Sequence, residues 1–100
     1  MKPVVYSPDA VADLQDIGDY IATDNPDRAR SFIEELCARA ERTGGAPEAY
    51  PARDDVAPGL RMAVHGRYVI LFRIRDDQVE VARILHGARD LRKAVSEVDR

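Results

Sequence analysis

One hundred residues, 45% apolar and 33% charged, suit a chain folded around one core and exclude a disordered tract. No stretch nears the 18 apolar residues of a membrane span, and no charged start precedes an apolar run, so the expectation is a cytoplasmic protein without membrane contact. The net charge of -3 is uneven: residues 1–60 hold 6 Lys and Arg against 12 Asp and Glu, residues 61–100 hold 9 against 6. The arginine-rich second part suits an acidic or polyanionic partner, or its charges simply solvate a face.

Lys2 to Tyr6, with Val4, Val5 and Tyr6, reads as a first strand. Ser7-Pro8-Asp9 then marks a helix start: a hydroxyl that accepts an orphan N–H, a proline suited to the first turn, and a carboxylate at the positive end of the dipole. Ala10, Leu14, Ile17 and Ile21 form one apolar stripe, with Asp13, Asp16 and Asp19 expected to point away from it. Thr23-Asp24-Asn25-Pro26 breaks this helix and caps a second, whose wider face holds Ala29, Phe32, Ile33, Leu36, Cys37 and Ala40 and which ends at Gly44-Gly45. The one cysteine, Cys37, fits a reducing compartment and reads as a small buried hydrophobe, with no histidine near it in sequence to activate a thiolate. A helix-turn-helix DNA reader would place Asp27, Arg28 and Arg30 at the base edges, but the acidic surroundings would repel phosphate.

Ala46 to Gly59, with Pro47, Pro51 and Pro58, reads as a connecting loop. Three strands follow, about Leu60–Val64, Tyr68–Arg75 and Val79–His86, joined by turns at His65-Gly66-Arg67 and Asp76-Asp77-Gln78 that are short enough to require antiparallel neighbours. In the middle strand Tyr68, Ile70, Phe72 and Ile74 share one face, while the other changes from Val69 and Leu71 to Arg73 and Arg75. That strand is expected to be central, with one face on the helices and the other partly open. Asp90 to Val98 completes the pattern as a short helix edged by Leu91, Ala94, Val95 and Val98. The whole predicts an α+β fold in a single domain, residues 1–100: a strand, an antiparallel helical hairpin, a three-stranded antiparallel sheet and a short C-terminal helix.

There is no Gly-rich phosphate loop, no cysteine pair and no His-Glu helix motif, so no cofactor and no metal are expected. His65 sits in a turn and reads as an exposed hairpin histidine. His86 ends a strand beside Arg83, Arg89 and Asp90, which makes it either a candidate general base or, with Asp90, a cap on the chain reversal into the last helix. Arg61, Arg73, Arg75, Arg83 and Arg89 either converge on the open side of the sheet to hold carboxylates or phosphates, or pair locally with acids such as Asp76, Asp77 and Glu80.

Several of these residues coincide with a known pattern: Asp13-Leu14, Ile17 and Tyr20-Ile21; Asn25-Pro26, Ala29 and Phe32; Tyr68-Val69-Ile70 and Phe72-Arg73; and Val81 followed by Arg83 through Asp90. Over essentially its whole length the chain resembles the RelE/ParE superfamily of toxins from bacterial type II toxin–antitoxin systems, particularly the ParE branch. The resemblance implies the fold just described. It also implies a cognate ParD-like antitoxin in a hetero-oligomer, with promoter DNA contacted only indirectly through that antitoxin. RelE-type relatives cut messenger RNA on the ribosome, whereas ParE-type relatives poison DNA gyrase. The nucleases carry basic residues at alternate positions of the first strand of this sheet and an arginine after the tyrosine that opens the next. Here those positions read Arg61, Ala63 and Val69. Losing one donor to a developing charge typically costs about 10²–10³ in rate, so the resemblance favours a gyrase-binding toxin without catalysis of its own. The antitoxin- or target-binding residues expected are Arg61, Arg73, Arg75, Arg83, His86, Arg89 and Asp90. A nuclease would instead rely on Arg61, His86 and Arg89.

Overall fold

The computed structural model describes residues 1–98, with side chains through Ser96. The order is β1 (Val4–Tyr6), α1 (Pro8–Ala22), α2 (Pro26–Arg42), β2 (Arg61–His65), β3 (Tyr68–Arg75), β4 (Gln78–His86) and α3 (Leu91–Val98). The sheet runs β1-β4-β3-β2, antiparallel except where β1 lies parallel to β4.

The helix signals act as their chemistry dictates. Ser7 Oγ accepts the Ala10 N–H at 3.0 Å and donates to Ala82 O at 2.8 Å, so one hydroxyl caps α1 and fastens its start to β4. Asn25 Oδ1 accepts the Arg28 N–H at 3.0 Å and caps α2. Gly44 is required by proximity: Lys2 N–H donates to its carbonyl at 2.9 Å, and a Cβ there would collide with Lys2 O.

Two apolar clusters flank the sheet. Under the α1–α2 hairpin lie Ala10, Leu36, Ile70, Phe72, Val81 and Ile84, among others. On the opposite face Leu60, Val69, Leu71 and Leu85 are covered by Ala94 and Val95 of α3 and by Val56. The 46–59 connection is therefore more than a link, since Val56 belongs to this second core and Pro51 O accepts the Met62 N–H at 3.0 Å along the outer edge of β2. The expected apolar edge of α3 holds for Ala94 and Val95, with Leu91 half-buried beside them. The side chain of Val98 lies outside the described residues.

A β-bulge opposes Leu71 and Phe72 to Arg83 and Val81, leaving Ala82 as the extra residue of β4. The slip lets Val81 and Ile84 both face the hairpin although they are three residues apart.

Two expectations fail: His65, expected as an exposed turn histidine, is half-buried against Phe32 and bonded to Glu35, and the solvent-facing aspartates of α1 include one that is buried. Asp13 does not point to solvent; it is 8% exposed and accepts hydrogen bonds from Arg83 and from the Ile84 N–H. Its partners lie about seventy residues away, beyond the reach of a helical-period argument. Cys37 is half-buried. The hydroxyl of Tyr6 is pushed above its ordinary range by burial and, secondarily, by Cys37 and Glu41.

Candidate functional site

The arginines do not converge as one group. Arg61 is on the hairpin side of the sheet edge, where it donates to Tyr50 O at 2.8 Å and Glu48 O at 3.2 Å and so pins the 46–59 connection. Arg73, Arg75 and Arg83 do come together, around a cleft of about 160 Å³ that Asp9, Glu80 and Val95 also line. Two of the three are occupied. Arg75 pairs with Glu80 at 3.2 Å. Arg83 grips Asp13 through Nε at 2.8 Å and Nη2 at 2.9 Å, and its Nη1 reaches Ala94 O at 3.0 Å. This fork joins β4 to α1 and α3 in one contact. Both side chains of the pair are largely buried, so Arg83 is a structural member rather than a carboxylate donor awaiting a partner. Arg73 buries its Nε without a hydrogen-bond partner.

The corner from His86 to Asp90 separates two larger grooves. His86 Nδ1 accepts the Ala88 N–H at 3.1 Å, and the ring stands edge-on to Tyr68 at 5.3 Å between centroids. Gly87 N–H donates to Arg67 O at 2.8 Å, and a Cβ on Gly87 would lie 3.3 Å from that oxygen, so glycine permits the close approach. Asp90 Oδ1 accepts the Lys93 N–H at 3.1 Å and caps α3, an interaction typically worth about 0.5–2 kcal/mol. Arg89 is exposed and makes no side-chain hydrogen bond or ion pair among the described residues.

On the α3 side, a cleft of about 530 Å³ is lined by Arg53, Asp55, Met62, Val69, Arg89 and Arg92. Arg53 holds Asp55 through two bonds of 2.9 and 3.0 Å. Those bonds keep the Asp55 carboxyl below its ordinary range and raise the guanidinium. Arg92 donates to Asp55 O at 2.8 Å, tying α3 to the connection.

On the hairpin side, a groove of about 660 Å³ opens where the helical turn meets the β2–β3 turn. Its walls are Tyr20, Ile21, Phe32 and Tyr68, with Arg28, Arg67 and His86 around them. Gly66, at φ +58°, makes the tight turn that presents Arg67. Arg28 lies 5.1 Å over the Phe32 ring and pairs with Glu35 at 2.6 Å, while His65 reaches Glu35 at 3.0 Å. The bond from Arg28, then that from His65, holds the Glu35 carboxyl below its usual range.

Arg61, the third member of the nuclease set, lines neither groove beside His86 and Arg89. Ala63 and Val69 are buried in opposite cores. Sequence reasoning passed over Tyr20, Phe32, Arg28 and Arg67 as groove residues. The available signal was Tyr20, an aromatic beside the apolar stripe of α1 rather than on it.

The sequence pattern of the family described as "ParE toxin of type II toxin-antitoxin system, parDE" matches residues 4–91, stopping at the first residue of α3. Among solved structures, the chain is similar to one from the chromosomal ParDE toxin–antitoxin system of P. aeruginosa, with a TM-score of 0.74 and 20% identity over 86% of this chain and 96% of that one. It is also similar to a chain of the toxin–antitoxin complex RelBE2 from Mycobacterium tuberculosis, with a TM-score of 0.56 and 25% identity over 85% and 96%. No curated protein matches it in sequence. No described helix is long and apolar enough to cross a membrane. With nearly the whole described fold inside the family pattern, this chain belongs to the ParE toxin family of type II toxin–antitoxin systems.

Proposed function

We propose that residues 1–100 act as one ParE-like toxin domain that inhibits DNA gyrase, and thereby replication, by binding rather than by catalysis. A ParD-like antitoxin neutralises it in a hetero-oligomer and carries any contact with promoter DNA. The observation that supports this reading over ribosome-dependent RNA cleavage is the separation of Arg61 from His86 and Arg89. Arg61 is spent on two backbone carbonyls, and Ala63 and Val69 bury apolar side chains where a nuclease needs cations. His86 also has a structural occupation, against Tyr68 and the Ala88 N–H.

The test is controlled expression of the chain without antitoxin, with pulse labelling of new DNA and new protein, alongside a supercoiling assay on purified gyrase. DNA synthesis should stop first, cells should filament, and the His86→Ala protein should still kill. Early loss of translation with cleaved messenger RNA on ribosomes, together with a folded but harmless His86→Ala variant, would replace this reading with a nuclease. Growth unaffected by the folded wild-type chain would leave a toxin-derived interaction module.

A further inference from the structure

We propose that the cationic cleft on the α3 side is the surface by which this toxin grips its protein target, and that it takes an acidic loop, with carboxylates on Arg89 and Arg92 and an aliphatic side chain on the apolar floor. The proposal rests on the reading of the chain as a gyrase-binding toxin and names the surface which that reading leaves open.

Three observations carry it. The cleft, of about 530 Å³, sets the guanidinium groups of Arg53, Arg89 and Arg92 against the carboxylates of Asp55 and Asp90, and both carboxylates are engaged. Asp55 is held by Arg53 through two bonds, and Asp90 accepts the Lys93 N–H. The Arg89 side chain bonds to nothing among the described residues, and Arg92 gives only its Nε, to Asp55 O at 2.8 Å. Lys93 lines the smaller cleft beside Arg89 and extends the positive rim. Positive charge therefore stands in excess here although the whole chain carries -3, and planar guanidinium forks bind carboxylates bidentately. Second, the floor is apolar. Val56 and Val69 are buried in the second core, and Met62 and Leu91 are half-buried at its edge, so an aliphatic side chain laid there leaves water. Third, the walls are fixed in advance. The Arg53–Asp55 fork stiffens the 46–59 connection, Arg92 ties α3 to it, and the Gly87 N–H holds the corner to Arg67 O at 2.8 Å. A site ordered beforehand loses little conformational freedom on binding.

The same features discriminate among occupants. A nucleic-acid strand gains much of its affinity from rings to stack on, and no aromatic residue lines this cleft. Residues 1–60, with 12 Asp and Glu against 6 Lys and Arg, repel a long polyphosphate approaching the molecule. A small free anion would use the guanidinium groups and leave the apolar floor wet. An acidic loop uses both, drawing affinity from the aliphatic anchor and orientation from the charges. The cleft shares no lining residue with the hairpin-side groove, so it can be altered without touching that groove.

The experiment measures inhibition of plasmid supercoiling by purified gyrase, read as the toxin concentration that halves the rate. It compares the full wild-type chain with Arg89→Glu, Arg92→Glu and a control, Arg30→Glu, on an exposed position of α2 outside the cleft. Arg89 and Arg92 are exposed, so melting temperatures should stay close to wild type. Each cleft variant should need about tenfold to a hundredfold more protein, and the wild-type value should itself rise with salt. The control should remain within about twofold. Unchanged inhibition by both folded cleft variants would overturn the cleft while leaving the gyrase reading in place. A folded wild-type chain that does not inhibit gyrase would overturn both. Two further results would reassign the cleft. If the same variants lose affinity for the antitoxin encoded by the adjoining gene while inhibition holds, the cleft belongs to the antitoxin. If wild type binds a duplex DNA oligonucleotide without gyrase and Arg89→Glu does not, the cleft holds phosphates instead.

Discussion

One face of the sheet is closed by two helices of 15 and 17 residues, the other by an eight-residue helix and the residues around Val56. Under the hairpin the covered side chains of β3 are aliphatic and aromatic from Tyr68 through Ile70 to Phe72, with Ile74 half-buried beyond them. On the α3 face the apolar run stops at Leu71, and Arg73, half-buried beside Val95, and Arg75, exposed, continue the strand. A short helix can bury only a few neighbours, so cationic clefts persist at its margins. The difference teaches that a protein this small can close one face of a sheet with a continuous apolar core and leave charged clefts at the margins of the other. The contact holding the two sides in register is Arg83, which bonds to α1 and α3 together.

That contact offers the largest test of the comparison. Asp13→Ala would leave a buried guanidinium without its carboxylate and the Ile84 N–H without its acceptor, and should destabilise the fold by about 3–5 kcal/mol. Equilibrium urea unfolding measures it. A loss below about 1 kcal/mol would mean the pair is solvated and the faces are not coupled through it.

A second test uses adjacent residues of β3. Ile70 faces the hairpin and Leu71 faces α3, and both are fully buried. Alanine at either should cost about 2–5 kcal/mol, with the larger loss at Ile70, because two long helices cannot settle into the cavity whereas a short one can. The order of the two unfolding midpoints decides it, and a larger loss at Leu71 would show α3 to be the more rigid cover.

The smallest effect is electrostatic and lies at the edge of the hairpin groove. Because Arg28 and His65 lower the Glu35 pKa, ionised Glu35 favours the folded state above the usual value of 4.5, and that contribution disappears as pH falls through the lowered folded value. The carboxyl carbon followed by NMR should titrate below 4.5, and Arg28→Ala should raise its midpoint more than His65→Ala does. Glu35 is exposed, so salt should blunt the effect. A midpoint at the ordinary value would dissolve the network.

What could be read from the chain beforehand was whatever depends on neighbours in sequence. Ser7-Pro8 and Asn25-Pro26 announced their caps, and the alternation of Tyr68 to Arg75 announced both faces of β3 and where one turns basic. Asp90 announced the start of α3. Contacts between distant residues were silent. Asp13 looked like any solvated helix aspartate because Arg83 is 70 positions away. Arg61 looked available because the carbonyls of Glu48 and Tyr50 carry no side-chain signature. The groove draws Tyr20, Phe32 and Tyr68 from three elements, each a plausible core residue by itself.

The parallel pairing of β1 with β4 governs how this toxin comes into being. Val4 sits beside Val79, and Ser7 bonds to Ala82 across 75 residues. During synthesis the helical hairpin, a local structure, can form early, but the first strand must wait for nearly the whole chain before it finds its neighbour. The two ends close the sheet together, so a chain cut short before β4 has no partner for β1 and no complete hairpin-side groove. A ribosome that stalls partway therefore releases a chain whose first strand has no neighbour and whose α1 cap has no anchor on β4.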